Sequence, residues 1–253
     1  MRNTIDLNSN LDVLRFGVFP WDEQIGAEIA ERTKYFVSDK VLDLCAGTGY
    51  LGVTVAKTVG AKKVILVEID AVSCQMAWTL WKSDCHRAVC VIQGDIRNLD
   101  FFPLYDGLVV SNPPCAPLPD SFRTWRNVYG GKDGLLYVRA IIKWLLQFQS
   151  AVPFFISTYF LSPREEISIK DLSSVIGIDD MIKKNIYHFQ RPAWNWIGIA
   201  DQKNPGYSEE IFRWYSDYCE DREKDAFLKY LKEKPYAHHI LIEGISPGTA
   251  GKT

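Results

Sequence analysis

From residue 41 onward, short apolar runs alternate with stretches of helical period, and that alternation leaves few architectures open. Val41-Leu42-Asp43-Leu44-Cys45 reads as a buried strand. A glycine-bearing turn follows, and then a helix over Tyr50–Val59 with Leu51 and Val55 on one face. The pattern continues with a strand at Val64–Ile69, a helix over Val72–Lys82, and strands at Ala88–Gln93 and Gly107–Ser111. Asp133 is expected to cap a helix whose apolar positions Leu135, Val138, Ile142 and Leu145 keep the helical period. Phe154–Thr158 is a fifth strand, a helix is expected after Ser162-Pro163, and Met181–Phe189 and Ala237–Glu243 complete the set. Strands so continuously apolar are covered on both faces. The expected fold is α/β, a mostly parallel sheet of about seven strands with helices on both sides.

The 253 residues suit one such domain. Its expected parts are an N-terminal segment with a helix over Gln24–Phe36 (1–40), the core (41–189), an insertion (190–236), and the last strand and tail (237–253). The insertion holds Trp194, Trp196, Tyr207, Phe212, Trp214, Tyr215 and Tyr218, and Ser208 before Glu209 and Glu210 reads as a helix start. Two readings of it stay open: a wall of a substrate site, or a helical layer that buries its own aromatics or joins two copies as a homodimer.

Charge and cysteines narrow the partners. Lys and Arg number 29 against 31 Asp and Glu, a net charge of -2, which argues against a nucleic-acid grip built on a large basic face. The six cysteines form no CxxC pair and read as reduced thiols of a cytoplasmic protein. Cys85, His86 and Cys90 lack a second ligand pair at finger spacing, so no metal is expected. The N-terminus lacks the apolar core of a signal peptide, and the apolar stretch Ala151–Leu161 is far short of the ~20 residues a membrane span needs.

The chemistry gathers where strands end. Gly47-Thr48-Gly49-Tyr50-Leu51-Gly52 follows a strand and opens a helix, the glycine fingerprint that brings backbone close to a nucleotide cofactor. Glu68, closing the second strand, is the acid that would accept both ribose hydroxyls. These two features leave NAD and S-adenosylmethionine both open. Asp43 inside the first strand, Gly94-Asp95-Ile96 after the third, and Ser111-Asn112-Pro113-Pro114 closing the fourth separate them. Two prolines end the sheet and fix the backbone, so the Asn112 side-chain oxygen and the Pro113 carbonyl form a rigid pair of acceptors.

Asp43-Leu44-Cys45-Ala46-Gly47-Thr48-Gly49 resembles motif I of class I methyltransferases, and Asn112-Pro113-Pro114 resembles their Asn-Pro-Pro motif. Gly130-Gly131-Lys132-Asp133-Gly134-Leu135 downstream, and Phe19-Pro20-Trp21-Asp22 before the first strand, are similar to segments of the release-factor glutamine-N5 methyltransferases. The resemblance spans roughly residues 16 to 189. It implies a Rossmann-like class I methyltransferase sheet, with the aromatic insertion before the last strand. It also implies S-adenosylmethionine as cofactor, held by Asp43, Ala46, Gly47, Thr48, Gly49, Glu68, Ile69, Asp95, Ile96 and Asn112. Asn112 and Pro113 would act on the acceptor nitrogen. Cys115 stands where that family carries an aromatic ring, so Trp125, Trp194 or Trp196 is expected to supply a flat face beside Pro114 and Cys115.

Four activities follow as expectations. The first is N-methylation of an amide, guanidine or amine in a small molecule or peptide, suggested by the insertion and by a short N-terminal segment. The second keeps the family's protein glutamine. A third, adenine methylation in nucleic acid, runs against the acidic charge balance. The fourth uses S-adenosylmethionine without methylating, by a cyclisation that releases methylthioadenosine.

Overall fold

The computed structural model describes residues 23–84, 86–101, 105–116, 118–124, 126–147, 151–160, 183–192, 206, 209–210 and 236–246. In chain order the elements are α1 (Glu23–Thr33), β1 (Lys40–Leu44), α2 (Tyr50–Val59), β2 (Lys63–Glu68), α3 (Ala71–Trp81) and β3 (Ala88–Gln93). There follow β4 (Leu108–Ser111), α4 (Leu136–Leu145), β5 (Pro153–Phe160), β6 (Lys183–Pro192) and β7 (Tyr236–Ile245). Short 3-10 turns lie at Ile96–Phe101 and Asp120–Phe122.

The strands form one seven-stranded sheet in the order β3-β2-β1-β4-β5-β7-β6. β1 to β5 are parallel, and β7 runs antiparallel between β5 and β6. Strand alternation divides the core. Leu42, Leu44, Val109, Phe154 and Ile156 face α4, whose Val138, Ile141, Ile142 and Leu145 close that side. Val41, Val64, Leu66, Val110 and Phe155 face α1 and α2. Each fully buried leucine contributes ~1.5–3 kcal/mol, so the pattern itself supplies the drive to form both layers.

Helix formation leans on that packing. α2 is rich in β-branched residues, which are mediocre helix formers, yet Leu51, Val53, Val55, Ala56 and Val59 are buried along it. Gly60 ends it at φ 73°, its N–H returning to the Ala56 carbonyl. Asp70 caps α3, its carboxylate accepting the Ser73 N–H at 2.7 Å.

Several boundaries differ from expectation. α1 ends at Thr33, and Phe36 turns back to pack edge-on against Phe155 with 5.5 Å between ring centroids. α4 starts at Leu136: Asp133 accepts the Leu135 N–H at 3.0 Å, but Gly134 at φ 79° turns the chain before the helix can begin. β6 and β7 are longer than expected because their ladder extends to the pair Pro192–Tyr236. Since Phe160 at the end of β5 pairs with His238, that last rung lies at the carboxyl edge of the parallel strands. The connection that carries the aromatic insertion therefore leaves the sheet on that edge. The helix expected after Ser162-Pro163 lies outside the described residues, as does the insertion apart from residues 190–192, 206, 209, 210 and 236. Among the described residues no helix is long and apolar enough to cross a membrane.

Candidate active site

Strand order reverses between β1 and β4, because β1 pairs with β2 on one side and β4 on the other. Chains leaving the carboxyl ends of those two strands part in opposite directions and open a crevice between them. The end of β1 carries the glycine turn, and the end of β4 carries Asn112. Ser111 Oγ donates to the Leu44 carbonyl at 2.5 Å and ties the two strand ends together.

The glycine turn is held from several directions. Cys45 takes φ 59°, a left-handed conformation uncommon for a residue with a side chain, and swings the chain over the sheet edge. Ala46 N–H donates to the Val67 carbonyl at 3.0 Å, and Trp81 Nε1 donates to the Thr48 carbonyl at 2.8 Å. Gly47 has φ 53°, and a Cβ built there meets no atom within 4 Å, so this turn presents open backbone to the crevice. Gly52 answers a different demand: a Cβ would stand 2.7 Å from Asp43 Cβ. That close approach lets Gly52 N–H donate to Asp43 Oδ2 at 2.7 Å, pinning α2 to β1.

Asp43 is 1% exposed. Burial pushes its carboxyl up to about 8; the Gly52 N–H opposes the rise and the nearby Glu68 charge adds to it. Its second oxygen, Oδ1, is buried with no hydrogen-bond partner among the described residues. Glu68 is also raised by burial, against the pull of backbone N–H groups. Its Oε2 accepts from Gly47 N at 2.8 Å and its Oε1 from Asp70 N at 2.9 Å. Each oxygen keeps a second lone pair. Asp95 is the opposite case: Arg97 holds its carboxyl below the usual carboxylate range through paired side-chain hydrogen bonds.

Two cavities meet here. One, about 110 Å³, is lined by Glu68, Ile69, Asp95, Ile96, Asn112 and Pro114, with Arg126, Asn127 and Tyr137 on its far side. The other, about 60 Å³, is lined by Asp43, Ala46, Gly47, Thr48 and Asn112. Cys45 and Asn112 belong to both. Nine of the ten cofactor residues expected from sequence thus line one connected crevice, and Gly49 does not. Its missing side chain faces Leu66, 2.4 Å from where a Cβ would be, so Gly49 serves packing. Pro113 and Cys115 are buried and line neither cavity. Cys115 is backed by Gly130, where a Cβ would lie 2.6 Å from Cys115 Cα. Gly130 lets this loop lie backbone against backbone. Trp125, Trp194, Trp196 and the Phe19–Asp22 segment lie outside the described residues.

Sequence reasoning missed Ser157. Its hydroxyl, fully buried on β5, donates to Asn112 Oδ1. The available signal was Ser157-Thr158, two hydroxyls ending an otherwise apolar strand. Trp81, Arg126 and Tyr137 were missed as well; nothing in their sequence spacing connects them to the glycine turn.

The arrangement fits S-adenosylmethionine. Glu68 offers acceptors where ribose hydroxyls are expected, Gly47 leaves room for a ligand at the backbone, and Asp43 Oδ1 is a buried acceptor without a donor, suited to a cationic group. A sheet of this order, with its last strand inserted antiparallel and a glycine turn after β1, defines the Rossmann-like class I methyltransferase fold.

Comparison with known proteins agrees. Residues 16–121 match the family model described as methyltransferase small domain. The chain is 34% identical to the 4-amino-L-phenylalanine/4-methylamino-L-phenylalanine methyltransferase of Streptomyces pristinaespiralis, over 49% of this chain and 48% of that one. It is 32% identical to the release factor glutamine methyltransferase of Mycolicibacterium smegmatis, over 42% of this chain and 41% of that one. The chain spans just under half the length of these curated relatives. Among solved structures, the YcgJ protein of Bacillus subtilis superposes with a TM-score of 0.53 at 14% identity, covering 89% of this chain and 99% of that one. Phosphoethanolamine N-methyltransferase 2 of Haemonchus contortus, in complex with S-adenosyl-L-methionine, gives 0.52 at 12% identity, covering 96% of this chain and 58% of that one. At such identities these two likenesses speak for the fold.

Proposed function

We propose that this protein is an S-adenosylmethionine-dependent methyltransferase of the cytoplasm that N-methylates an amide, guanidine or amine of a small molecule or peptide. The observation that carries the reading is Asn112, which lines both cavities and so stands between Glu68 and Asp95 on one side and Asp43 and Gly47 on the other. When bound, the cofactor supplies a methyl group already activated on a sulfonium.

The chain's part is then positioning. Asn112 Oδ1 accepts a hydrogen bond from an N–H of the acceptor, which aims the nitrogen lone pair and stabilises the charge developing on it; the Pro113 carbonyl, next in the chain, takes a second one only if the acceptor reaches beyond the lining of the two cavities. Ser157 fixes the Asn112 amide by donating to Oδ1, and that oxygen keeps a lone pair for the acceptor. The aromatic insertion is read as a wall of the acceptor site. Its strands leave the sheet on the same edge as Asn112, and Glu210 within it accepts a hydrogen bond from Ser121 at 3.4 Å, beside the loop that borders the crevice.

A small amine acceptor is supported by the Streptomyces pristinaespiralis relative, a 4-amino-L-phenylalanine/4-methylamino-L-phenylalanine methyltransferase. The second reading, a protein glutamine, is supported by the release factor methyltransferases. One experiment separates them. The purified protein is incubated with methyl-labelled S-adenosylmethionine, first with fractionated cell extract and then with purified release factor. Label in a small species, with S-adenosylhomocysteine as co-product, is the expected result. Label confined to the release factor selects the second reading, and methylthioadenosine as the product overturns methyl transfer itself.

A further inference from the structure

Beside the crevice lies a larger open cavity of about 510 Å³, and its chemistry differs from that of its neighbour. Among the described residues, three guanidinium groups, Arg97, Arg123 and Arg126, line it with a single carboxylate, Asp95, in a chain whose overall charge is -2. Two of the arginines are already engaged. Arg97 is paired with Asp95, and Arg123 with Asp120 at 3.1 Å. Arg126 is solvent-exposed and makes no ion pair among the described residues; its charge is felt at Asp95 and adds to the lowering of that carboxyl. Tyr129 and Tyr137 supply flat walls, and Tyr129 is held in place by donating its hydroxyl to Asp120 at 2.7 Å.

The position matters as much as the charge. Ile69, Asp95, Arg126 and Tyr137 line both this cavity and the one that contains Asn112. Arg126 therefore lines both the cavity that contains Asn112 and a basic, aromatic-walled recess, beside the expected cofactor residues Ile69 and Asp95. A guanidinium is the group suited to planar, two-pronged recognition of a carboxylate or phosphate.

We propose that the arginine-lined cavity is the anion-anchoring part of the acceptor site: the acceptor is an elongated small molecule with a nitrogen at Asn112 and a carboxylate or phosphate held at Arg126. The inference rests on the methyltransferase reading for the nitrogen end. The anion site itself stands on the lining and charge of the cavity. Arg126 is the anchor, and Arg97 and Arg123, neutralised by their partners, shape the field around it.

The test uses the full chain and three probes of similar size: benzoate, phenyl phosphate and neutral benzamide. Their affinities are measured by calorimetry for the wild type and for Arg126→Gln, with and without S-adenosylhomocysteine, whose own affinity is measured separately. At least one anion should bind about tenfold more tightly than benzamide, and Arg126→Gln should remove that advantage, as expected for loss of a charge-assisted hydrogen bond. S-adenosylhomocysteine affinity is read separately because Arg126 also lines the cavity of Glu68 and Asp95, so the anion preference is decided by the titrations made without it. The tighter of the two anions identifies the acidic group. Equal binding of benzamide and both anions, or an anion preference that survives Arg126→Gln, overturns the proposal. So does a single-stranded oligonucleotide binding at this surface with steep salt dependence. Failure of S-adenosylhomocysteine to bind overturns the cofactor reading instead, and the anion comparison without it still decides the anion site.

Discussion

Ser157 on β5 donates its hydroxyl to Asn112 Oδ1, at the end of the adjacent strand β4, and so fixes the orientation of the amide that lines both halves of the crevice. The two residues are 45 positions apart in sequence. Val110 and Ser111 pair with Phe155 and Ile156, and this register carries Ser157 alongside Asn112. A buried hydroxyl that donates to Oδ1 restrains the Asn112 side chain where it lines both cavities.

Ser157→Ala should therefore lower kcat by about tenfold, the value of one neutral hydrogen bond that orients a reacting partner. Asn112→Ala should cost more, roughly 2.7–4 kcal/mol of transition-state stabilisation. Ser157→Ala should bind S-adenosylhomocysteine nearly as well as wild type, and Asn112→Ala only modestly less well. Steady-state rates at saturating cofactor, beside calorimetry, read the two quantities separately. A Ser157→Ala variant that melts earlier but turns over normally would make the contact purely structural.

Glu68→Ala removes a carboxylate that does two things at once. It is the proposed acceptor for the ribose hydroxyls, and it joins the Gly47 turn to the start of α3 through its bonds to Gly47 N and Asp70 N. The expected loss of cofactor affinity is ~1.5–3 kcal/mol, from a charge-assisted acceptor. A lower melting temperature without ligand should accompany it, because two backbone N–H groups lose their partner. An unchanged dissociation constant for S-adenosylhomocysteine would remove Glu68 from the binding site.

Asp43 makes the protein sensitive to pH. Its folded-state carboxyl titrates near 8, above its ordinary value, because burial disfavours the charged form. The folded state therefore holds a proton that the unfolded chain releases earlier, so stability from this group is present in acid and lost as pH rises toward about 8. Melting temperatures measured from about pH 5 to about pH 8 should fall more for wild type than for Asp43→Asn. The amide can still accept from Gly52 through its oxygen. Cofactor binding works in the opposite sense: a cationic group beside Oδ1 favours the ionised form, so affinity should rise with pH across the same window. Calorimetry in buffers of different ionisation enthalpy should detect the proton released. A pH-independent dissociation constant would mean that Oδ1 does not meet the cation.

Gly52→Ala tests the packing that positions Asp43. The added methyl would stand 2.7 Å from Asp43 Cβ and 2.9 Å from its Oδ2, in a buried contact between α2 and β1. A loss of about 1–3 kcal/mol in stability is expected, the usual cost of overpacking, with weaker cofactor binding because Asp43 must move. Chemical denaturation and a cofactor titration measure the two effects.

Local pattern determined a good part of this protein. Apolar runs of four to six residues mark β1 to β4, and Gly60 and Asp70 end and begin helices by themselves, because period, capping and glycine geometry act over a few neighbours. The residues of motif I, Glu68, Asp95 and Asn112 could be proposed from sequence for the same reason: each lies at or just beyond the carboxyl end of a strand of a parallel sheet, and strand ends are where such a sheet binds ligands. Only the tertiary structure decided how those ends meet. It inserted β7 between β5 and β6, brought Ser157 to Asn112, set Trp81 against the Thr48 carbonyl, buried Cys115 outside the lining of both cavities and assembled Arg97, Arg123 and Arg126 around one cavity. These relations join residues tens of positions apart. Pairing register and the burial of both sheet faces fix them, and neither is written in the spacing of the residues that finally touch.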